Sequence, residues 1–146
     1  MNEMKILSST HRFRIRFSEV DAMRVVWHGS YVKYLEDARE YFGQEFGFGY
    51  EYIVSQGYVV PIVDLSIQYK EPITYGMEPE ITIIYRPTVA AKIIFDYEIR
   101  DSKDKSLKAT AHSVQVFLDS KNDLVLYSPS FYDEWKKSKG VYTEHF

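Results

Sequence analysis

The first regular pattern in the chain is a strict alternation of polar and apolar residues through 11–17. Phe13, Ile15 and Phe17 fall on one face of an extended backbone, and arginines fall on the other. A period of two predicts a half-buried β-strand here, followed by a loop over 18–27.

The apolar spacing changes to three or four residues between 29 and 46, which predicts an amphipathic helix. Gly29 or Ser30 can cap its start, and Gly47 suits its end. Charged side chains, among them Glu36 and Arg39, occupy the other faces, and their spacing predicts a surface or interfacial ion pair. The apolar stripe is Tyr31, Tyr34, Leu35, Ala38, Phe42 and Phe46.

Strand-like segments follow the helix, separated by turns rich in Pro, Gly and charged residues. Ser128 to Ser130 then starts a short C-terminal helix that runs to Lys139, with Pro129 near its first turn. One helix followed by a run of strands predicts an α+β fold, with the helix packed on an antiparallel sheet. We interpret 1–146 as a single domain. The predicted strands are 57–69, 80–89, 92–100 and 107–118.

Composition adds an expectation about assembly and excludes several function classes. Thirteen tyrosines and nine phenylalanines favour strands and subunit interfaces, so we expect a homodimer or homotetramer. A net charge of −3 gives no electrostatic reason to bind nucleic acid or an anionic membrane. The chain has no cysteine, no apolar run of membrane-spanning length and no signal-peptide core, so a cytoplasmic location is expected.

The stretch 17–31 carries the candidate chemistry. Asp21 lies seven residues before a His28-Gly29-Ser30 turn that opens the predicted helix. A helix start offers unpaired N–H groups and a partial positive charge to a carbonyl oxygen. A carboxylate held beside it can act as a nucleophile or as a base for water, so the stretch suits acyl transfer.

This stretch resembles the opening motif of the hotdog-fold acyl-CoA thioesterases, in the branch of 4-hydroxybenzoyl-CoA thioesterase. The resemblance extends over roughly 12–118, because the later strands also follow in the expected order. It implies a hotdog fold, in which a long antiparallel sheet wraps around one central helix. The matching positions are Phe17, Asp21, Val25, Val26, Trp27, His28, Tyr31, Tyr34, Glu36, Ala38 and Arg39.

The resemblance implies hydrolysis of an acyl-CoA thioester, with coenzyme A as part of the substrate and no further cofactor. Asp21 then matches the catalytic carboxylate, and His28 matches the position whose backbone N–H polarises the thioester carbonyl. Two positions depart from the motif. Arg24 stands where the family usually has Gly, and Glu19 where a first Asp is common. Arg24 therefore either changes the path of the loop or directs a cation towards the site.

The remaining candidates are substrate contacts. Arg24, Trp27 and Tyr31 are predicted near the acyl group or the cofactor moiety, although core packing is the other interpretation of Tyr31. Lys70 and Lys92 are candidates for the phosphates of CoA, since phosphates need Arg or Lys. No spacing of His, Asp and Glu indicates a metal site.

Two alternatives use the same fold. A non-catalytic acyl-thioester binder would follow if Arg24 abolished turnover. A hydratase or dehydratase would need a buried histidine with a matching acid, for which His112 is the strand candidate; His112 is otherwise interpreted as a packed side chain.

Overall fold

The computed structural model describes residues 4–145, which contain a five-stranded antiparallel sheet. In spatial order its strands are β1, β3, β4, β5 and β2, so β1 and β2 are the two edges. The predicted α+β class is confirmed. The strand bounds are β1 Ser8–Arg12, β2 Ile62–Tyr69, β3 Pro79–Arg86, β4 Lys92–Asp101 and β5 Leu107–Val116.

The central helix, α1, spans Ser30–Phe46 and confirms the prediction for 29–46. Its apolar stripe is buried against the sheet because these positions recur on one face. The helix ends at Gly47, whose φ of 69° is the left-handed conformation that glycine adopts without strain. No helix within residues 4–145 has the length and apolar character needed to cross a membrane.

Two further helices flank α1. The first, α2, is a single short helix at Tyr50–Ser55 that the sequence analysis did not predict, because six residues show too little periodicity. The second, α3, spans Ser130–Lys139 and confirms the predicted C-terminal helix. Its Trp135 donates an indole hydrogen bond of 2.7 Å to the Phe46 carbonyl, which ties α3 to the end of α1.

The predicted first strand is wrong in its bounds: β1 ends at Arg12, and the structure has no strand at 13–16. The alternation continues there, with Ile15 buried, but β3 begins at Pro79. Phe13 N–H donates to the Pro79 carbonyl at 3.0 Å, and beyond it β3 offers no partner for the chain. The predicted strand 57–69 likewise begins only at Ile62, directly after Pro61, which has no N–H for a ladder.

An aromatic cluster fills the core between α1, α3 and the sheet. Phe42 stacks against Tyr85 and meets Phe95 edge to face, while Phe48 contacts Tyr132 and Trp135 with ring centroids 5.2 and 4.5 Å apart. The apolar side of α1 is therefore covered by the sheet and its far end by α3, while its polar face stays exposed along the helix.

Candidate functional site

The loop before α1 is a tight turn over 20–26. Val20 and Val26 form an isolated antiparallel bridge, and Asp21 N–H donates to the Val25 carbonyl at 2.9 Å. Arg24 N–H donates back to the Asp21 carbonyl, also at 2.9 Å. Arg24 closes the turn with a φ of 63°. The turn therefore carries Asp21 beside the strand-like segment that leads into α1.

The Asp21 carboxylate is fixed through one of its oxygens. Oδ1 accepts hydrogen bonds from the N–H groups of Met23 at 2.9 Å and Val25 at 3.3 Å. Within residues 4–145, Oδ2 has no hydrogen-bond partner and Asp21 forms no ion pair. Asp21 is exposed, so its second oxygen is available to a substrate or a water molecule.

The same turn recurs at 119–123, where no site is expected. Asp119 Oδ1 accepts from Lys121 N–H at 2.8 Å and from Asp123 N–H at 3.1 Å. Asn122 has a φ of 64° at the position of Arg24. The turn geometry is thus structural in origin, and what distinguishes the Asp21 turn is that the chain runs from it directly into α1.

Glu19 joins that turn to the helix. Its carboxylate is buried and accepts hydrogen bonds from Arg16 N–H at 2.8 Å, Tyr34 OH at 3.0 Å and Lys33 Nζ at 3.1 Å. Burial raises the pKa of Glu19, but these three donors outweigh it, and the net pKa lies below the ordinary value. Glu19, which stands where the family commonly has Asp, therefore links the turn to the helix. The sequence does not reveal this role, because Lys33 and Tyr34, two of its three partners, lie on α1.

The Glu19 carbonyl adds a second set of contacts to the helix start. It accepts from Trp27 N–H at 2.9 Å and from the Ser30 hydroxyl at 3.0 Å. Ser30 N–H in turn donates to the Trp27 carbonyl at 2.9 Å. These bonds hold the first turn of α1 against the segment that precedes Asp21.

The amides of His28 and Gly29 have no hydrogen-bond acceptor in the part of the chain that the structure describes. They lie at the start of α1, where the helix dipole favours negative charge. The Trp27 indole lies across Gly29, in space that a side chain at position 29 would fill. A side chain at position 29 would therefore require the exposed indole to move, and the His28 side chain is exposed beside that indole.

The end of edge strand β2 also meets the helix start. Tyr69 OH donates to the His28 carbonyl at 2.8 Å, and its ring packs edge-on against Tyr31 with centroids 4.8 Å apart. Tyr31 is 2% exposed, which confirms the core-packing interpretation, and burial raises its pKa to about 12. Trp27, by contrast, is 52% exposed and accessible from solvent.

Arg24 has the left-handed backbone conformation that a glycine would adopt without strain. The presence of Arg at this position is therefore compatible with the same turn. Its guanidinium lies 5.5 Å from the centre of the Tyr75 ring, and its carbonyl accepts from Tyr75 N–H at 2.9 Å. The cation therefore lies at the rim of the turn, over an aromatic side chain.

The two lysines predicted to bind phosphate lie at opposite ends of the sheet. Lys70 follows β2 at the end near the helix start, and its Nζ donates to Gln68 at 3.0 Å. Lys92 begins β4, whose other end pairs with the start of β3. Ten residues of strand separate them by about 30 Å, so one protomer does not bring Lys92 to Asp21.

The predicted Glu36–Arg39 ion pair is wrong. Arg39 Nη1 instead donates to Tyr97 OH at 3.1 Å, and that hydroxyl is hydrogen-bonded to Ser113 Oγ at 2.6 Å. Arg39 lines a half-open cavity of about 620 Å³ beside α1. Glu36 also lines this cavity, whereas Asp21 does not.

His112 is not a packed core histidine. It lies on the sheet face opposite α1, with its Nδ1 2.7 Å from Asp96 Oδ1 and its side chain 39% exposed. Arg86 binds the other Asp96 oxygen at 2.6 Å. Burial raises the pKa of Asp96, but hydrogen bonds from His112 and Arg86 outweigh it, so the net pKa is lowered. His112 is thus engaged on the outer face, away from the start of α1.

Comparisons with known proteins agree with this architecture. The family profile of the thioesterase-like superfamily matches residues 15–136. Over 134 residues the chain is 26% identical to YneP of Bacillus subtilis, provisionally assigned as an acyl-CoA thioesterase; the match covers 90% of this chain and 97% of YneP.

Solved structures extend the likeness. The DHNA-CoA thioesterase from Staphylococcus aureus superposes with a TM-score of 0.78 at 24% identity, over 90% of this chain and 91% of that one. A 4-hydroxybenzoyl-CoA thioesterase with an Asp-to-Asn substitution, complexed with 4-hydroxybenzoyl-CoA, superposes with a TM-score of 0.75 at 20% identity, covering 88% and 97%. These similarities confirm the predicted hotdog fold.

Proposed function

Because the chain belongs to the thioesterase-like superfamily, we propose that it hydrolyses acyl-CoA thioesters to a free acid and CoA. Two observations support the proposal: within residues 4–145 the Asp21 Oδ2 has no hydrogen-bond partner, and the amides of His28 and Gly29, which precede α1, have no acceptor. The CoA-thioester substrate is suggested by what the similar proteins are named for.

In the proposed reaction the thioester carbonyl lies against the amides of His28 and Gly29. The oxygen of water, or of Asp21 itself, bonds to the carbonyl carbon, and the developing negative charge on the carbonyl oxygen is stabilised by these N–H donors. The C–S bond then breaks and CoA leaves as a thiolate; when water attacks, Asp21 takes a proton from that water and passes it to the thiolate. If Asp21 attacks first, water hydrolyses the acyl-aspartate and restores the carboxylate.

A thiolate is a good leaving group, so the mechanism needs neither a serine nucleophile nor a metal ion. One carboxylate and one or two N–H donors suffice, since each oxyanion donor contributes about 100- to 1,000-fold in rate. Trp27 and the rim cation Arg24 flank the proposed carbonyl position and are the side chains that would contact the substrate there.

We propose further that a second copy of the chain encloses this site. Both faces of edge strand β2 are largely exposed, and it carries Val63 at 58% and Leu65 at 37% exposure. An exposed, apolar edge strand is a template for pairing with another strand. Because Tyr69 ends β2 against the helix start, a copy paired along β2 would cover the exposed Asp21.

The dimer is tested by size-exclusion chromatography with light scattering. Val63→Asp, which places a charge on the exposed edge, should shift the protein to a monomer and reduce turnover together. Val89→Asp is the matched control, because Val89 is 48% exposed in the turn between β3 and β4. A wild-type monomer that is fully active would contradict the proposal.

The cavity beside α1 is the proposed site of the acyl group. Its lining includes Glu36, which lies six residues from the start of α1, or about 9 Å along the helix axis. Its apolar walls include Val60, Ile93 and Phe95. Ile93 adjoins Lys92, so these walls lie towards the far end of the sheet, and an acyl chain whose carbonyl lies at the helix start would reach them by extending along α1.

The mechanism is tested with purified protein, a panel of acyl-CoAs and a free-thiol assay. Asp21→Asn should lower kcat by about 100- to 10,000-fold, since a nucleophile or general base is removed while the turn remains. Asp119→Asn is the matched control, because it makes the same change in the same turn elsewhere, and its kcat should equal the wild-type value. Equal activity of the two variants would remove the mechanism, and no turnover of any thioester would remove the function.

A further inference from the structure

Three arginines, Arg12, Arg14 and Arg16, form an exposed row that leads into the site, here called the arginine strip. They alternate with Phe13 and Ile15, which turn towards the core, so the three guanidinium groups share the outer side of one extended segment. Two residues of extended chain advance about 6.6 Å, so the strip is about 13 Å long.

The charges of the strip are not neutralised. In the part of the chain that the structure describes, none of the three arginines forms an ion pair. The nearby carboxylates are engaged elsewhere. Glu80, the register partner of Arg12, is bound by Lys105 at 2.9 Å, and Glu19 is bound by Lys33 and Tyr34. The strip is therefore a local concentration of positive charge on a chain whose net charge is −3.

One end of the strip is tied directly to the candidate site. Arg16 N–H donates to Glu19 Oε1 at 2.8 Å, and the Glu19 carbonyl binds the segment that opens α1. The other end, at Arg12, lies at the edge of the sheet, because β1 is an edge strand. A ligand with its reactive end at the helix start and negative charge further along would therefore lie over the strip.

We propose that the arginine strip binds the phosphate groups of CoA. This inference rests on the proposed function, because it takes the substrate to be a CoA thioester. CoA carries a diphosphate and a 3′-phosphate on its nucleotide, separated from the sulfur by the pantetheine arm. Arginine pairs with phosphate oxygens through two parallel hydrogen bonds, which makes it suited to this role.

The dimensions favour a nucleotide over an acidic carrier protein. A stable protein interface covers about 800 Å² on each partner, whereas the strip is a single row of side chains. The strip also supplies positive charge at the end of the sheet where the candidate site lies. Lys92 does not, because it begins β4 at the opposite end of the sheet.

The test measures binding of free CoA, dephospho-CoA and pantetheine by calorimetry, without turnover. Wild type should bind CoA more tightly than dephospho-CoA, and pantetheine most weakly. The variant Arg12→Gln/Arg14→Gln/Arg16→Gln should lose about 10- to 100-fold in CoA affinity, at about two- to fivefold per exposed charge pair, and should bind pantetheine unchanged. Its unfolding temperature should match the wild type, because the three side chains are exposed.

Controls separate the strip from general charge effects. Arg14→Gln is compared with Lys121→Gln, which removes one exposed cation from the distant 119–123 turn and should leave CoA affinity unchanged. The affinity for CoA should fall as the salt concentration rises, because salt screens the charges. The dependence of affinity on salt concentration should be weaker in the triple variant.

Several outcomes would contradict the proposal that the arginine strip binds the phosphates of CoA. They are equal binding of CoA and pantetheine by wild type, unchanged CoA affinity in the triple variant, an equal loss for pantetheine, and an effect confined to substrates linked to a carrier protein. A protein that hydrolyses acyl-CoA but fails this test refutes the strip alone. One that binds CoA through the strip but hydrolyses no thioester refutes the proposed function alone.

Discussion

Replacing Glu19 with glutamine tests whether a buried carboxylate holds the Asp21 turn against the helix. Glutamine keeps the shape of the side chain and one acceptor oxygen but removes the charge that Arg16 N–H, Tyr34 OH and Lys33 Nζ now share. We expect Glu19→Gln to lower both the free energy of unfolding and kcat, because the same bonds position the turn and the start of α1.

The size of the stability loss follows from the three contacts. A hydrogen bond to a charged group contributes about 1.5–3 kcal/mol, against about 0.5–1.5 kcal/mol for a neutral one, so removing the charge costs about 1 kcal/mol per bond. Lys33 is 61% exposed, and its pair contributes little. The bonds from Arg16 and Tyr34 therefore dominate, and we expect a loss of about 2 kcal/mol. At about 2–4 °C per kcal/mol, Tm should fall by about 4–8 °C.

The pH dependence gives a second readout from the same variant. The pKa of Glu19 is lowered in the folded protein from its ordinary value of 4.5. Its stabilising effect is therefore complete above that value and is lost as pH falls through the lower, folded-state pKa. The difference in unfolding free energy between wild type and Glu19→Gln should be constant above about pH 5.5 and should shrink at lower pH.

The control is Lys33→Gln, which removes only the exposed partner and should cost less than about 1 kcal/mol. Chemical denaturation from pH 3 to 7, together with kcat for each variant, measures all of these quantities. If Glu19→Gln destabilises the protein no more than Lys33→Gln does, or if the difference does not change with pH, the tie between turn and helix is not electrostatic and the reasoning is refuted.

Two further predictions concern backbone strain and a buried hydroxyl pair. Arg24→Gly should be more stable than Arg24→Ala by about 1 kcal/mol in denaturant unfolding, because both lose the contact with Tyr75 and only glycine relieves the left-handed backbone; equal stabilities would contradict this. Tyr132→Phe should lower the free energy of unfolding by about 1–3 kcal/mol, and by more than Tyr85→Phe. The reason is that Tyr132 OH donates to the Lys92 carbonyl and also accepts from Tyr85 OH, 2.6 Å away, so its removal breaks both hydrogen bonds. The reverse order of the two losses in thermal unfolding would show that the donor assignment is wrong.

The sequence was sufficient for the elements whose periodicity is long and regular. The stripe from Tyr31 to Phe46 predicts α1 within one residue, and the alternation in 92–100 predicts β4 to within one residue as well. The motif at Asp21 also led to the fold, since its spacing belongs to a strand, a turn and a helix start in that order. Local patterns of this kind depend on neighbours in the chain, which a sequence displays.

Features that depend on distant partners were not predictable in the same way. The alternation at 11–17 correctly turns Phe13 and Ile15 towards the core, but Phe17 is 71% exposed, and the end of pairing is set by where β3 begins. Lys92 was assigned to the site although antiparallel order places it at the far end of the sheet. Glu19 was recognised only as a departure from a motif, because its partners Lys33 and Tyr34 are assembled by folding.

The bond from Trp135 to the Phe46 carbonyl has a consequence for how the chain is made. The last helix covers the aromatic faces of Phe42 and Phe48 and caps the end of α1, yet it is synthesised about ninety residues later. A nascent chain that has not yet released residue 139 from the ribosome exposes those faces to solvent or to chaperones. Completion of the hydrophobic core, and with it a fully held α1, must therefore await the end of translation of α3.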